Sequence, residues 1–425
     1  MIQHTATLLL PFILAAAPPA APSVLLTGAT VLDPTGRHLL ENRSVLIADG
    51  RIVAIMAAND APLPQANDAK RIDLDGLVLL PGLLDLHSHL LLHPYDEASW
   101  NDQVLRESLG LRTIRAVVAA KATLEAGFTT LRDLGTEGAG YADVALRDAI
   151  TNGIVPGPRL VVVTRAIVAT GCYGPSGYDP RWNMPKGAQV ADGVAEVRRV
   201  VRAQIAAGAD WIKVYADYRR RAGGSATPTF SQEELNALVQ EARSAGLRVA
   251  AHATTDEAIR RAVRAGVATI EHGYGASAEV LSLMKEHGVA LCPTLTAAES
   301  MARYAGWQPG SPEPADLRAA KAMFARALAS GVTIACGSDV GVFSHGQNAR
   351  ELELMVACGM SPVEALRSAT IVAAEVLGRE DRLGRIEKGF IADLVAVRRD
   401  PLEDIAAVTH PVVVLKEGRV VFDGQ

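Results

Sequence analysis

Asp85-Leu86-His87-Ser88-His89 follows directly on the apolar run of residues 77–84, which a Pro81-Gly82 pair interrupts. A run this short and apolar predicts a buried strand. Side chains two apart on a strand point the same way, so His87 and His89 project together from its end. Two convergent imidazoles can hold a divalent metal ion. An isolated His-x-His is a weak signal, so the reading depends on further ligands in compatible places. Residues 248–252 end a second apolar run on His252, residues 268–273 end a third on His272, and residues 332–339 end a fourth on Asp339. Residues 211–215 place Lys213 inside an otherwise apolar strand. Of the 10 histidines, four fall at such strand ends, which scattered packing histidines would not do.

The elements that must position these groups alternate along the chain. Helical periodicity covers residues 100–126, 142–151, 193–207, 231–244, 255–264, 278–287 and 315–329. Each of these stretches precedes a strand: 128–134, 159–163, 211–215, 248–252, 268–273, 290–295 and 332–339. Ser231 and Glu234 have the spacing of a capping box. Two further helices, 349–358 and 362–377, close the series. Eight strands each followed by helix predict an α/β fold, a (β/α)8 TIM barrel. Active sites of that fold collect at the C-terminal strand ends, where every candidate ligand lies. The β-rich runs 24–32, 44–56 and 71–79 near one end, and 391–397 and 412–422 near the other, predict a small β-sandwich built from both chain ends. The domains expected are therefore 23–80 and 385–425 for the sandwich and 81–384 for the barrel.

With 425 residues and 49% hydrophobic content the chain can bury one large core and a smaller one. A net charge of -5 argues against a nucleic-acid surface, and no window predicts a membrane span. Residues 1–22 read as an apolar export leader and a Pro/Ala linker. The protein is then periplasmic or secreted if the leader is cleaved, and cytoplasmic if the segment is a disordered tail. No Lys or Arg precedes the apolar stretch, and Pro18 follows the Ala15-x-Ala17 cleavage pattern; both weaken the leader reading, which still stands ahead of the tail. Cys172, Cys292, Cys336 and Cys358 form no C-x-x-C pair and predict free thiols.

Together, Asp85-Leu86-His87-Ser88-His89, Lys213, His252, His272, Gly337-Ser338-Asp339 and the segment 388–395 resemble the amidohydrolase superfamily, in its binuclear, lysine-bridged members. Within it, residues 207–216 and 345–383 are most similar to prolidase-like metallo-carboxypeptidases and ochratoxin-hydrolysing amidohydrolases. The resemblance implies two divalent ions, zinc being best suited to this donor set. His87, His89 and Asp339 would hold one and His252 and His272 the other. It also implies a CO2-derived carbamate on Lys213, since a bare ammonium between two cations would be repelled. Asp339 would move the proton, and Asp85 is placed to orient His87.

The implied activity is hydrolysis of the amide bond to a C-terminal amino acid, in dipeptides, N-acyl amino acids or ochratoxin-type phenylalanine amides. Ser88, Tyr173, Tyr215, Tyr218, Arg219 and His345 are the candidate substrate contacts, and the loop 299–314 with Tyr304 and Trp307 a candidate lid. The Arg219-Arg220-Arg221 run reads equally as a solvated loop. The resemblance further implies a homo-oligomer, an octamer. The alternatives are a cyclic amide hydrolase of the imidazolonepropionase or hydantoinase kind, a mononuclear deaminase, and a catalytically silent scaffold. Deaminases of this fold carry a glutamate three residues after the fifth-strand histidine and lack the lysine, whereas Thr255 and Lys213 stand here.

Overall fold

The computed structural model describes residues 23–57, 60, 66–179, 181–220 and 223–425. The expected leader and linker, residues 1–22, and Arg221 of the arginine run lie outside the described residues.

Both ends of the chain meet in one eight-stranded sheet. Val24–Leu32 pairs antiparallel with Leu39–Ala48 and parallel with Val78–Pro81. Leu394–Val397 joins Val78–Pro81 from the other side, antiparallel, and carries Val413–Lys416 and Arg419–Asp423 beyond it. The sequence run 44–56 is divided at Asp49-Gly50, where both residues have positive φ and turn the chain into Arg51–Ala57. Leu26, Val45, Ile47 and Leu79 share one buried cluster with Leu394, Val413 and Leu415. Each such side chain stabilises by about 1.5–3 kcal/mol when fully buried. Neither chain end can bury that face without the other.

The middle of the chain is parallel strand and helix in alternation. Leu83–Ser88, Phe128–Asp133 and Arg159–Val162 form one parallel sheet. Trp211–Tyr215, Arg248–Ala253, Thr269–His272 and Ala290–Cys292 form another, with Ile167–Val168 and Gln189–Val190 at its edge. Hydrogen bonds outside these ladders join the two sheets. Asp210 N donates to Val162 O (2.8 Å), and Leu291 N to Thr333 O (2.8 Å). Leu86 N donates to Cys336 O (2.9 Å) and Asp339 N to His87 O (2.8 Å). Residues 333–340 thus lie between Ala290–Cys292 and Leu83–Ser88.

Helix punctuation departs from the expected pattern in three places, each for a visible reason. The stretch 100–126 is two helices, Trp100–Leu105 and Leu109–Glu125, because Ser99 and Ser108 each cap a new start. The stretch 362–377 divides into Pro362–Ser368 and Ile371–Leu377 at Thr370, whose backbone is non-helical. The strand expected over 290–295 stops at Cys292, and Leu295–Tyr304 is helical. Glu351 accepts hydrogen bonds from Leu295 N (2.9 Å) and Thr296 N (2.8 Å), a helix cap supplied from more than fifty residues away. The expected lid is therefore a helix followed by a short loop. No helix among the described residues is long and apolar enough to cross a membrane. All four cysteines are free.

Candidate metal centre

Alternation along the parallel strands delivers Lys213 and His252 to one region, with Tyr215 and His252 in register on adjacent strands. Alternation alone would not deliver the other two ligands. Thr269 and Glu271 share a face, since Thr269 Oγ1 donates to Glu271 (2.5 Å), while Ile270 packs into the outer core. The next residue, His272, would follow Ile270 outward. Its φ of 71° turns the side chain back, and Asp339 has a φ of 63° for the same purpose. A non-glycine residue in this region is strained, and such strain persists only where the surroundings impose it.

The result is a tight cluster. His87 Nε2 and His89 Nε2 lie 3.5 and 3.2 Å from Asp339 Oδ1. His87, His272 and Asp339 each offer a ligand atom within 4.8 Å of the others, so this group can hold a metal ion. The His272 ring is 5.1 Å from that of His87 and 4.5 Å from that of His252, centroid to centroid. Lys213 is 1% exposed, and its Nζ is buried without a hydrogen-bond partner. Imidazole and carboxylate donors around an unsatisfied buried amine suit a divalent transition ion.

The charges in this pocket are strongly coupled. Burial and then Lys213 push His87 down to about 4. Burial and His87 push His272 down to about 3, and burial with His272 and Lys213 holds His252 well below the ordinary imidazole range. Neutral imidazoles are what a metal requires. Burial also lowers Lys213, against the pull of Glu271 and Asp339. For His89 burial works downward too, but Asp339 and Glu137 outweigh it and raise the ring to about 9. Burial pushes Asp339 upward, yet the three imidazoles around it hold it well below the usual carboxylate range.

Behind the ligands stands a buried polar layer. Glu271 accepts from His87 Nδ1 (2.8 Å) and from Arg132 (2.9 Å), both partners fully buried. Arg132 also donates to Leu86 O (2.7 Å) and Thr269 Oγ1 (3.0 Å), and its guanidinium lies 4.6 Å above the Trp211 ring. His89 Nδ1 faces Gly135 O (3.1 Å), and His272 Nδ1 faces Thr294 Oγ1 (2.8 Å). Such partners fix the ring orientation and leave the other nitrogen free toward the cluster. Asp85 does not orient the His87 ring. It accepts from the His87 backbone N–H (3.0 Å), from Ser338 and from Asn348, tying the first strand to the Gly337-Ser338-Asp339 turn. The ring's partner is Glu271.

The expected substrate residues divide into two groups. Tyr173, Tyr215 and Tyr218 come together, with Tyr173 4.3 Å from Tyr215 and 5.4 Å from Tyr218. Tyr215 stacks on His252 at 4.6 Å, so this aromatic wall abuts the ligands. The other three are not part of that wall. Ser88 Oγ donates to Arg132 O (3.3 Å), on the opposite side of its strand from His87 and His89. His345 Nε2 is bonded to Leu92 O (2.9 Å). Arg219 is exposed on a hairpin formed by Asp217–Arg219 and Ala226–Pro228. Neighbouring Arg220 donates to Pro228 O and Thr229 O.

Sequence reasoning passed over Arg132, Glu271, Glu137 and Trp100. The first two carried the signal already used for Lys213, a charge embedded in an apolar strand (Phe128–Asp133 and Thr269–His272).

A model described as the amidohydrolase family matches residues 78–421. Ochratoxinase of Aspergillus niger is 31% identical over 436 aligned residues, covering 95% of this chain and 87% of that protein. A crystal structure of a Xaa-Pro dipeptidase with methionine bound in its active site is similar, with 31% identity and a TM-score of 0.84. The match covers 95% of this chain and 100% of that one. A prolidase complexed with N-methylphosphonate-L-proline aligns with 33% identity and a TM-score of 0.81, over 94% of this chain and 99% of the other.

Proposed function

Because the chain belongs to the amidohydrolase family, and is thus a hydrolase of C–N bonds, we propose that it cleaves the amide joining an acyl group to a C-terminal amino acid. Dipeptides, N-acyl amino acids and ochratoxin-type phenylalanine amides all present that bond beside a free carboxylate. The names of its relatives, an ochratoxinase and a Xaa-Pro dipeptidase, support this substrate class.

The observation that carries the reading is Lys213, an amine buried without a hydrogen-bond partner in the electrostatic neighbourhood of His87, His252, His272 and Asp339. Burial favours its neutral form. That form can attack the carbon of CO2 and lose a proton, leaving a carbamate with one negative charge where an ammonium would repel any cation. His87, His89 and Asp339 would then hold one divalent ion, His252 and His272 a second, and carboxylated Lys213 would serve both. Zinc suits these donors. When bound, the ions would supply a water of lowered pKa and polarise the scissile carbonyl.

The chain's own groups do the rest. Asp339 takes the proton of the attacking water and returns it to the leaving nitrogen. Glu271 and Gly135, bonded at Nδ1 of His87 and His89, would keep those rings oriented to hold the ions. The wall of Tyr173, Tyr215 and Tyr218 borders the acyl and side-chain groups, and the Tyr218–Arg219 strand offers donors to the product carboxylate. The two parallel sheets are read as one (β/α)8 barrel over residues 81–384, and 23–80 with 385–425 as the sandwich.

Metal analysis of the purified protein should return two equivalents. One equivalent points to a deaminase-like centre and none to a scaffold. Lys213→Ala should lose turnover and be partly rescued by a short carboxylic acid. A panel of N-acyl-phenylalanine, its C-terminal amide, dipeptides and cyclic amides tests the substrate. The free acids should be preferred, and Arg219→Ala should raise KM for the acid alone. Preference for a hydantoin or an imidazolone would overturn the substrate class.

A further inference from the structure

Glu137 stands in the loop after Phe128–Asp133, and its side chain is completely buried. One carboxylate oxygen is fully used: Oε2 accepts from the Trp100 indole N–H (2.8 Å) and from the Tyr173 hydroxyl (2.5 Å). The other has no hydrogen-bond partner, although it is buried, and lies 3.6 Å from His89 Nδ1. Leaving a charged oxygen unpaired away from water is costly, so the arrangement needs a reason. The backbone at Glu137 is itself in the left-handed region, with a φ of 50°. It is held there in part by Arg112, which donates to the Glu137 carbonyl (2.7 Å). Gly135 makes the approach feasible, since a Cβ there would meet Glu137 Oε1 at 3.2 Å and strain an already positive φ. One costly backbone conformation and a buried, half-satisfied carboxyl converge on one edge of the His89 ring.

We infer that Glu137 is a positioning residue that couples the aromatic wall to the metal ligand His89. Its Oε1 fixes the Nδ1 edge of the imidazole electrostatically, beside the Gly135 carbonyl, so that Nε2 stays aimed at the ion. Its Oε2 anchors Trp100 and Tyr173, and through Tyr173 the stack that runs over Tyr215 to His252. One carboxylate thereby sets both the strength of a metal ligand and the position of the wall against which the substrate packs. The inference rests on the metal-dependent amide hydrolysis proposed above.

The test uses the full chain, loaded with zinc and then stripped with a chelator, with zinc affinity read by titration into the stripped protein. Glu137→Gln is isosteric and, with its amide oxygen in the place of Oε2, keeps an acceptor for Trp100 and Tyr173 while turning an N–H₂ toward His89. It should weaken zinc affinity and lower kcat by about 10–100-fold, with a smaller change in KM. Trp100→Phe touches no metal ligand and removes a single donor from Oε2. If Glu137 transmits the wall's position to His89, zinc affinity in this variant falls several-fold as well. A purely structural Glu137 would lower the melting temperature of both variants and leave zinc affinity at the parent value, which overturns the inference. Should Glu137→Gln not fold, the Trp100→Phe titration decides alone. A parent protein that binds no zinc and hydrolyses no amide removes the underlying reading. A parent that does both, with variants indistinguishable from it, removes only the role of Glu137.

Discussion

Replacing Glu271 by glutamine should destabilise the protein far more than the loss of one hydrogen bond. Glu271 and Arg132 are both fully buried, and among the described residues the carboxylate is the sole acidic group bonded to that guanidinium. Burial pushes the Glu271 carboxyl upward, but Arg132 and His87 hold it well below the usual range, so the pair is ionised. In Glu271→Gln the guanidinium keeps Leu86 O and Thr269 Oγ1 as acceptors but has no counter-charge. Leaving one member of a buried ion pair uncompensated costs about 3–5 kcal/mol. At 1.36 kcal/mol per tenfold this is roughly a 10²–10⁴-fold shift in the folding equilibrium. Removing both charges, in Arg132→Met with Glu271→Leu, should cost less than the single change, because apolar replacement of a whole buried pair is often neutral. Urea unfolding followed by tryptophan emission is the assay, Trp211 lying against the guanidinium. Excess chelator is needed so that metal binding does not add to the native side. A Glu271→Gln protein within about 0.5 kcal/mol of the parent, or a double variant less stable than Glu271→Gln, would refute the reasoning.

Three further outcomes follow from individual contacts. Burial raises Glu351 from 4.5 to about 7, against the N–H groups of Thr296 and Leu295, so the folded state binds its proton more tightly than the unfolded chain. That contribution is complete below pH 4.5 and is lost as pH rises through about 7; Glu351→Gln, which cannot titrate, should flatten the melting-temperature profile across that window, and an unchanged slope would count against it. Gly337→Ala should reduce metal content and turnover together, because the new Cβ would meet Cys292 Cβ at 2.9 Å and His87 Cβ at 3.0 Å, both on closely packed strands; full metal occupancy in that variant would show that the strands give way freely. Ser88→Ala should keep KM within about twofold of the parent and cost about 0.5–1.5 kcal/mol, since the hydroxyl serves Arg132 O and not the pocket; a tenfold rise in KM would return Ser88 to the substrate site.

How far the site was legible depends on where the backbone stays extended. Period-two alternation and the position of a charge in an apolar run were enough to pick out Lys213 and His252, whose strands remain regular to their ends. His272 and Asp339 were also found, but from their position at the end of a run. Alternation by itself would have sent His272 outward, and what brings it in is a left-handed φ that no local signal announces. The same limit explains Asp85. Its parity with His87 suggested a partner for the ring, whereas the partner actually comes from Glu271, on a strand 184 residues further along. Long-range pairing of that kind also ends a strand and begins a helix at Leu295, where Glu351 supplies the cap. The chain ends show the complement. Their β content was plain, but the register of Val78–Pro81 with Leu394–Val397 is set by a shared buried face. Strand ends and embedded charges thus nominate ligands from local chemistry. The residues that orient those ligands are chosen by the closure of the fold, so they become visible only once the strands are side by side.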